Sequence, residues 1–468
     1  MSTKKQAKST LVFIPFPILS HQAAAIQMAK LLVDRDDRLS ATIIVMKLPI
    51  DTKNNINSPL DSNINFVELP QDDSNFAKWS KLSPNAFAVN FIDSQKGPIR
   101  DAVVKIAKSS SKIAGFVVDM FCTTMIDVAN ELGIPSFVFF TCNAASLGLF
   151  LHLQRLSDEQ NLDLSEYENS DVSISVPTYV NPVPAKVWPS IVFEKEISFP
   201  GFMRRFREMK GIIINTFLEF EPHAVKSLSD DEMIPNVYPV GPIIQTGNDD
   251  LNKHDEIIKW LDEQLDSSVV FICFGSIGTF DKDQVDEIAL ALENSRQSFL
   301  WSLRKPPPKG KLEFPGEYEN HEDILPDGFL ERTVGIGKVI GWAPQMAVLS
   351  HPAVGGFVSH CGWNSTLESV YCNVPMATWP LAAEQQANAF QLVKEFGMGV
   401  EIKMDYRNWI VNVIVNAEKI EKAIREVMSP ENEGRAKVKA LGEKSRVVMK
   451  EGGSSYDYLG RLIDNIFG

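Results

Sequence analysis

Residues 342–385 constrain the fold of this 468-residue chain more than any other segment. An apolar run with two glycines, residues 354–358, is typical of a buried strand and is followed by a small polar turn. From Asn364 the apolar residues recur at helical spacing. Asn373 and Pro375 end this helix, because Asn tolerates the left-handed conformation and Pro cannot continue a helix. The order strand, tight turn, helix, strand is the repeating unit of an α/β fold.

The turn between this strand and helix is suited to binding an anion. Open backbone N–H groups at a helix N-terminus attract negative charge, helped by about half a positive charge from the helix dipole. Trp342 offers an indole for a base, and Glu368 offers a carboxylate for a ribose. His360, Asn364 and Ser365 offer donors for a diphosphate. Glu384 and Gln385 offer a carboxylate and an amide for sugar hydroxyls. The composite describes a nucleotide-sugar site.

A second strand–turn–helix unit precedes this segment. Residues 269–274 indicate a buried strand, Gly275-Ser276-Ile277-Gly278 a turn, and residues 281–293 a helix. Small residues allow backbone to approach a phosphate closely, although one such turn is weak evidence. Neither glycine turn has the G-x-G-x-x-G form typical of NAD dehydrogenases. The remaining predicted elements of this half are a strand over 298–303 and helices over 384–396, 417–428, 434–450 and 456–467.

The N-terminal half repeats the pattern and places a histidine and a carboxylate at strand ends. A strand is predicted over 11–16 and a helix over 22–33 with Ser20 as its N-cap, so that His21 lies at the end of the first strand. Another predicted strand, 114–118, ends on Asp119. Ligands of open α/β sheets bind at such ends. Taken alone, a histidine such as His21 is more often a capping or surface residue, and Asp119 could equally cap or precede a helix. Together they suggest a base and a carboxylate that orients it and stabilises the imidazolium.

The rest of this half alternates strands and helices around a polar insertion and an irregular region. The insertion spans 51–63, the irregular proline-containing region 157–200, and YPVGPI (238–243) leads into a polar linker over 244–255. The predicted strands are 41–46, 64–69, 136–141 and 211–215, and the predicted helices 86–108, 123–132 and 144–156.

Composition restricts the class of partner and the compartment. A net charge of −14 and a pI near 5.1 argue against nucleic acid and anionic membranes as partners. The cysteines are scattered without a C-x-x-C pair, and His351 and His360 fit no zinc spacing, so free thiols and no metal are expected. No signal peptide and no apolar run of transmembrane length is visible, which favours the cytoplasm.

From its W-A-P-Q to its E-Q, the 342–385 segment closely resembles the signature box of plant family-one UDP-dependent glycosyltransferases. A looser resemblance extends over nearly the whole chain. It implies the GT-B arrangement, two facing doubly wound Rossmann-like α/β domains with an interdomain cleft. The implied division is an acceptor-binding domain (1–243), a linker (244–255), a UDP-sugar-binding domain (256–451) and a C-terminal helix crossing back to the first domain (452–468). Glu384 stands where many family members have Asp, Asn373 where Gly is usual, and Ser20 where Gly is frequent.

The resemblance also implies site residues. Contacts to uracil and ribose would come from Trp342, Ala343, Gln345 and Glu368. Contacts to the diphosphate would come from Ser276, His360, Asn364 and Ser365. Contacts to the sugar would come from Trp363, Glu384 and Gln385. His21 would be the catalytic base and Asp119 its partner. An acceptor pocket would include Phe16, Phe121, Phe140, Phe150 and Phe202, although most phenylalanines in such segments belong to a core.

The implied reaction, in plant secondary metabolism, is inverting transfer of glucose from UDP-glucose to a hydroxyl of a small lipophilic metabolite, with no cofactor or metal. The product would be a β-glucoside of a phenolic, flavonoid or terpenoid, and transfer to C, N or S stays open. Within the family, Gln at position 385 accompanies glucose and His accompanies galactose. Two alternatives are a UDP-sugar or metabolite-binding protein without turnover, which His21 and Asp119 disfavour, and a UDP-sugar hydrolase or epimerase, which Gln385 disfavours. The sequence indicates no oligomeric state.

Overall fold

Short runs of apolar residues form two parallel sheets in the computed structural model, which describes residues 8–50, 62–109, 112–244, 255–308, 313–407 and 413–468. The first sheet contains β1 (Ser9–Ile14), β2 (Leu39–Val45), β3 (Ile64–Glu68), β4 (Lys112–Asp119), β5 (Ser136–Phe140), β8 (Gly211–Ile214) and β9 (Val237–Pro239). Between β5 and β8 lies a small antiparallel pair, β6 (Ser173–Ile174) and β7 (Val183–Pro184). The second sheet contains β10 (Val269–Cys273), β11 (Ser298–Ser302), β12 (Gly337–Ile340), β13 (Val354–Ser359), β14 (Met376–Thr378) and β15 (Gly399–Glu401).

The strand order of each sheet creates one crevice at its carboxyl edge. The first sheet has the order β3-β2-β1-β4-β5-β8-β9 and the second the order β12-β11-β10-β13-β14-β15. The chain reverses its direction of winding between β1 and β4 in the first sheet, and between β10 and β13 in the second. Ligands of doubly wound sheets bind at this switch point. The registers there pair Ile14 with Val118 and Cys273 with Ser359.

Helices pack on both faces of the two sheets. In chain order they are α1 (Leu19–Arg35), α2 (Phe76–Trp79), α3 (Pro84–Ser94), α4 (Lys96–Ser109), α5 (Ile126–Glu131), α6 (Ala144–Gln160), α7 (Phe199–Arg204), α8 (Pro222–Asp230), α9 (Asp255–Asp262), α10 (Lys282–Ser295), α11 (Phe329–Arg332), α12 (Gln345–Leu349), α13 (Trp363–Tyr371), α14 (Gln385–Phe390), α15 (Ala417–Met428), α16 (Glu433–Ser445) and α17 (Ser454–Phe467). A π-helical turn, Gln391–Glu395, continues α14.

Apolar residues on both faces of the strands form the core, as expected for parallel sheets covered on both sides. In β1, Val12 packs into the cluster on one face and Phe13 into the cluster on the other, which also holds residues of α1 and α17. The last helix is therefore part of the first sheet's packing. Asn465 of α17 donates to the Tyr238 hydroxyl of β9 at 2.8 Å, and Ser455 donates to the Gly241 carbonyl.

Several predicted elements differ from those observed. The helix predicted over 86–108 is two helices, α3 and α4, because Pro98 lacks an N–H and fits only in a helix's first turn. α1 begins at Leu19 with Ile18 as N-cap, so Ser20 is not the cap and His21 lies in the first turn. β6, β7, β9, β12 and β15 were not predicted; the edge position of β9 tolerates its Pro239.

Other helix boundaries also shift. The segment predicted as a helix over 123–132 begins as a 3₁₀ turn before α5, the helix predicted over 434–450 ends at Ser445, and the last helix begins at Ser454. The expected left-handed Asn373 is confirmed by its φ of 61°. The insertion (51–63) and the linker (244–255) fall mostly outside the described residues, and the division into domains stays a prediction. In the described part, no helix is long and apolar enough to cross a bilayer.

Candidate active site

His21 and Asp119 meet at the switch point of the first sheet. His21 lies in the first turn of α1, directly after β1, and Asp119 is the last residue of β4. The His21 Nδ1 atom is 2.7 Å from Asp119 Oδ2, and the two side chains are 15% and 2% exposed. Asp119 Oδ1 accepts a hydrogen bond from the Phe121 backbone N–H at 2.9 Å, which fixes the carboxylate. The predicted pair is therefore formed.

This geometry determines where the imidazole can accept a proton. A carboxylate can only accept, so the neutral imidazole carries its hydrogen on Nδ1 and leaves the lone pair on Nε2. Burial lowers the pKa of His21, but the charge and hydrogen bond of Asp119 and the charge of Glu384 outweigh this, and the net pKa is raised. A base with its lone pair on Nε2 and a stabilised imidazolium can take a proton from a hydroxyl.

Two of the five predicted acceptor-pocket phenylalanines contact His21, and a third stacks on one of these two. The Phe16 and Phe121 ring centroids lie 5.8 and 5.5 Å from that of the imidazole, and Phe202 stacks on Phe121 at 6.4 Å. These three rings are half-buried, which leaves apolar surface beside the histidine.

The prediction for Phe140 and Phe150 is wrong. Both are buried, at 0% and 4% exposure, and contact each other edge to face with centroids 6.2 Å apart. Phe140 is the last residue of β5, and its ring also packs on Phe206, while Phe150 packs on Phe199. These rings belong to the core behind the site.

The switch point of the second sheet holds the predicted anion-binding turn. His360 follows β13 and Ser276 follows β10, so both lie at the same edge. A Cβ on Gly275 would be 2.7 Å from His360 Nε2, and its φ of +73° also favours glycine. Gly275 thus brings the imidazole against the Ser276 turn. Burial lowers the pKa of His360 to about 4, with partial compensation from the Cys273 carbonyl, so this histidine is neutral near pH 7.

Gln345 joins the residues predicted to bind the nucleoside. Its Nε2 donates to Ser365 Oγ at 2.8 Å and to Glu368 Oε2 at 2.7 Å, which places α12 beside the first turns of α13. Trp342 is 39% exposed, and Ala343 beside it is buried. The Arg304 guanidinium carbon lies 5.1 Å from the Trp342 ring centroid. A partly exposed indole therefore lies three residues before Gln345, which contacts a carboxylate and the first turn of α13.

Glu384 and Gln385 lie at the start of α14, and Glu384 is close enough to His21 for their charges to interact. Burial raises the pKa of Glu384, and the charge of His21 and hydrogen bonds with Cys142 and Asn388 counteract this effect. Gln385 Oε1 accepts from the backbone N–H groups of Leu381 and Ala382 at 2.9 and 3.0 Å. This fixes the amide orientation and leaves its Nε2 as the group offered to a ligand.

The structure does not bring the indole of Trp363 into this group, so a sugar contact through that side chain is not available. Trp363 is 2% exposed, stacks on Phe220 and donates its Nε1–H to the Asn215 carbonyl at 2.6 Å. Its neighbour Asn364 is half-buried and accepts from Asn215 Nδ2 at 3.3 Å. Trp363 joins the two halves of the protein.

Sequence reasoning missed several buried polar residues that join the two sheets' helices. They are Asn143, Asn215, Glu221, Asn388 and Gln391. None belongs to a motif with a chemical signature. The only sequence signal is polar residues within apolar segments, since a buried amide must find a partner.

The cysteines and the acidic residues of the described chain provide no metal site. All five cysteines are free, and Cys122, Cys142, Cys273 and Cys361 are buried. No group of three His, Cys, Asp or Glu residues able to hold a metal occurs within the ranges given above.

Comparison with known proteins decides the family. The model of the family described as UDP-glucoronosyl and UDP-glucosyl transferase matches residues 21–433. The chain belongs to this family. This UDP-dependent glycosyltransferase, a hexosyltransferase, is 51% identical over 480 residues to UDP-glucose flavonoid 3-O-glucosyltransferase 6 of Fragaria ananassa, covering 98% of each chain. The predicted family resemblance is confirmed.

Solved structures confirm the predicted fold of the transferase. A UGT of Siraitia grosvenorii in complex with UDP superposes with a TM-score of 0.90 at 47% identity, covering 98% of this chain and 100% of the other. A Medicago truncatula UGT complexed with UDP-glucose superposes with a TM-score of 0.86 at 39% identity, covering 98% and 99%. The transferase therefore has the GT-B arrangement.

Proposed function

We propose that this enzyme transfers glucose from UDP-glucose to a hydroxyl of a small lipophilic plant metabolite and forms a β-glucoside. The observation that carries this proposal is the His21–Asp119 pair, whose side chains are 2.7 Å apart. Glu384, at the start of α14, is close enough to His21 for the charges of these two residues to interact. A general base thus stands beside the sugar end of a nucleotide-sugar site. The flavonoid glucosyltransferase of Fragaria and the UDP-glucose complex of Medicago support the choice of donor and acceptor.

The donor would lie along the carboxyl edge of the second sheet. Trp342 stacks on uracil, the Ala343 backbone and Gln345 contact the base and ribose, and Glu368 accepts from the ribose hydroxyls. Ser276, His360 and the N-terminus of α13 at Asn364 and Ser365 bind the diphosphate. Glu384 and the free Gln385 Nε2 contact the glucose hydroxyls. Gln345 already bonds Ser365 and Glu368, so these groups are held in place before a ligand arrives.

The reaction requires one proton transfer and one displacement at the anomeric carbon. His21 Nε2 takes the acceptor hydroxyl proton while the oxygen lone pair attacks the anomeric carbon from the face opposite UDP. The bond from that carbon to the β-phosphate oxygen breaks, and its electron pair leaves with UDP. Inversion turns the α-linked donor into a β-glucoside, and Asp119 stabilises the imidazolium until the proton passes to water.

Hydrogen-bond donors would stabilise the charge on the leaving diphosphate. The N-terminal N–H groups of α13 and the Ser276 hydroxyl supply these donors. Since the pKa of His360 is lowered to about 4, its imidazole is neutral and adds no positive charge beside them. Preorganised donors of this kind are the main electrostatic contribution in many enzymes.

The acceptor would bind in the first domain, against the half-buried rings of Phe16, Phe121 and Phe202. These rings suit a planar aromatic acceptor whose hydroxyl points at His21. The proposed division keeps residues 1–243 as the acceptor domain, 244–255 as the linker, 256–451 as the donor domain and 452–468 as the returning helix.

A panel of flavonols, anthocyanidins, simple phenols and terpenoid alcohols with UDP-glucose, analysed by mass spectrometry and UDP release, tests the proposal. We expect a mass gain of one hexosyl unit on at least one class and an equal amount of UDP. UDP binding without turnover on every acceptor would instead indicate a binding protein. UDP release with free glucose as the sole sugar product would indicate a hydrolase.

A further inference from the structure

Asn143 connects the two sheets' helices while also capping one of them. It is the N-cap of α6, and its Oδ1 accepts the Ser146 backbone N–H at 3.0 Å. Its Nδ2 donates to Asn388 Oδ1 at 3.0 Å and to Gln391 Oε1 at 2.6 Å, both beyond the linker in sequence. An amide nitrogen has two hydrogens, so both donors of the Asn143 side chain are used.

The partners of Asn143 cannot exchange their amide oxygen and nitrogen atoms. Asn388 Nδ2 donates to the Cys361 carbonyl at 2.9 Å, and Gln391 Nε2 donates to Glu221 Oε1 at 2.8 Å. A carbonyl and a carboxylate only accept, which leaves the Asn388 and Gln391 oxygens facing Asn143. Each side-chain amide of Asn143, Asn388 and Gln391 therefore has a fixed donor and a fixed acceptor atom.

Glu221 closes the set on the first sheet's side. Its Oε2 and Oε1 accept from the Ala144 and Ala145 backbone N–H groups at 2.9 and 3.0 Å, so both Glu221 and Asn143 bind the N-terminus of α6. The side chains of Asn143, Glu221, Asn388 and Gln391 are between 0% and 3% exposed, so water cannot replace a lost partner. A buried polar group left without its partner is destabilising, because no water replaces the lost hydrogen bond.

The two ends of this set lie at the two halves of the site. Cys361, whose carbonyl Asn388 holds, follows His360 and adopts a φ of 62° at the entrance to α13. Asn143 follows Cys142, whose thiol interacts with Glu384 and also lies within electrostatic reach of Asp119, the partner of His21. Gln391 begins the π-helical turn after α14, and such turns frequently occur at functional sites. A shift of one domain against the other would break several of these bonds together.

We propose that Asn143, Glu221, Asn388 and Gln391 form an interdomain lock that sets the distance between the base His21 and the donor turn at residues 360–362. The lock rests on the proposed function, because it matters only if a proton and a glucosyl group are exchanged between the two domains. These four are positioning residues. They fix where the diphosphate turn and the sugar-contacting start of α14 lie relative to the acceptor.

The substitution Asn143→Asp tests the lock without removing the helix cap. Asp is as good an N-cap as Asn, so the bond from Ser146 is retained, but the second carboxylate oxygen faces two acceptor oxygens. Asn388 and Gln391 cannot rotate to help, because their nitrogens are held by Cys361 and Glu221. Asn416, the exposed N-cap of α15 that accepts from the Lys419 N–H at 3.2 Å, provides the matched control Asn416→Asp.

The readouts are kcat, UDP affinity and stoichiometry by calorimetry, and the ratio of UDP released to glucoside formed. For Asn143→Asp we expect unchanged UDP affinity, a fall in kcat of about 10- to 100-fold, as misplacement of reacting groups by about 1 Å can cause, and a higher ratio because water competes with a misplaced acceptor. Asn416→Asp should match wild type. The lock is refuted if kcat and the ratio are unchanged. It is also refuted if kcat falls only as much as the number of UDP molecules bound per chain, because the loss would then reflect unfolded protein.

A second pair covers the case in which Asn143→Asp does not fold. Gln391→Glu places a carboxylate against Glu221 and should also lower kcat and raise the ratio. Adding Glu221→Gln restores one amide and one carboxylate, so the double variant should recover part of kcat; no recovery overturns the lock. Wild-type enzyme that transfers to no acceptor would refute the proposed function instead.

Discussion

Asp119→Asn is the most informative substitution in the base pair, because it changes chemistry with little change in shape. Asp119 Oδ2 accepts the Nδ1–H of His21 at 2.7 Å, and Oδ1 accepts the Phe121 N–H at 2.9 Å. An asparagine would keep its oxygen on the Phe121 N–H and turn its NH₂ towards His21. Nδ1 must then accept, so the imidazole hydrogen moves to Nε2, the atom required as the base.

The expected loss follows from that change of tautomer. General-base catalysis contributes about 10²–10⁴-fold, and we expect kcat to fall within that range while UDP affinity stays unchanged. The substitution also removes the charge that raises the pKa of His21. The base acts when neutral, so activity is lost as pH falls through this pKa. The acid limb of the residual activity should therefore move to lower pH.

The assay is a pH–rate profile of kcat/KM with one accepted phenol, together with UDP calorimetry. Asp231→Asn is a matched control, since Asp231 likewise accepts from the N–H two residues on, Met233, at 3.0 Å, and contacts Arg155 far from the site. It should reproduce the wild-type profile. The reasoning is refuted if Asp119→Asn retains wild-type kcat, or if its acid limb moves to higher pH.

Three further predictions concern the donor. Trp342→Ala should weaken UDP binding by about 1–3 kcal/mol in calorimetry, because stacking is lost. Unchanged affinity would mean that the indole has a structural role only. Activity should persist in EDTA, because N–H and hydroxyl donors surround the diphosphate site; a loss that magnesium restores would contradict this. Gln385→His should raise the ratio of galactosyl to glucosyl transfer in competition between the two donors, since it replaces the fixed Nε2 donor; an unchanged ratio would exclude residue 385 as a determinant.

The sequence was sufficient to place the residues that follow strand ends. His21, Asp119, Ser276 and His360 each lie next to a predicted strand, and parallel strands bring their carboxyl ends to one edge. The assembly of each half of the site therefore followed from local patterns. The split between α3 and α4 was missed, although Pro98 is a signal for it, because proline fits only in the first turn of a helix.

The contacts between the halves could not be predicted in the same way. Asn143 and Asn215 find partners more than 140 residues away, and which residues pair depends on how the two sheets are placed. Phe121 and Phe140 each lie near a strand end, yet only the first stays partly exposed, because the ring of Phe140 points into a cluster of other aromatic rings. Residue type alone does not give the direction of a side chain.

The anomeric configuration of the product is the measurement that tests the proposed mechanism most directly. The enzyme would be incubated with UDP-α-glucose and a flavonol, and the glucoside examined by proton NMR alongside His21→Ala. In-line attack assisted by His21 predicts a β-glucoside, one UDP for each glucoside, and a rate reduced about 10²–10⁴-fold in the variant. An α-glucoside, or a β-glucoside formed at the wild-type rate by His21→Ala, would contradict it.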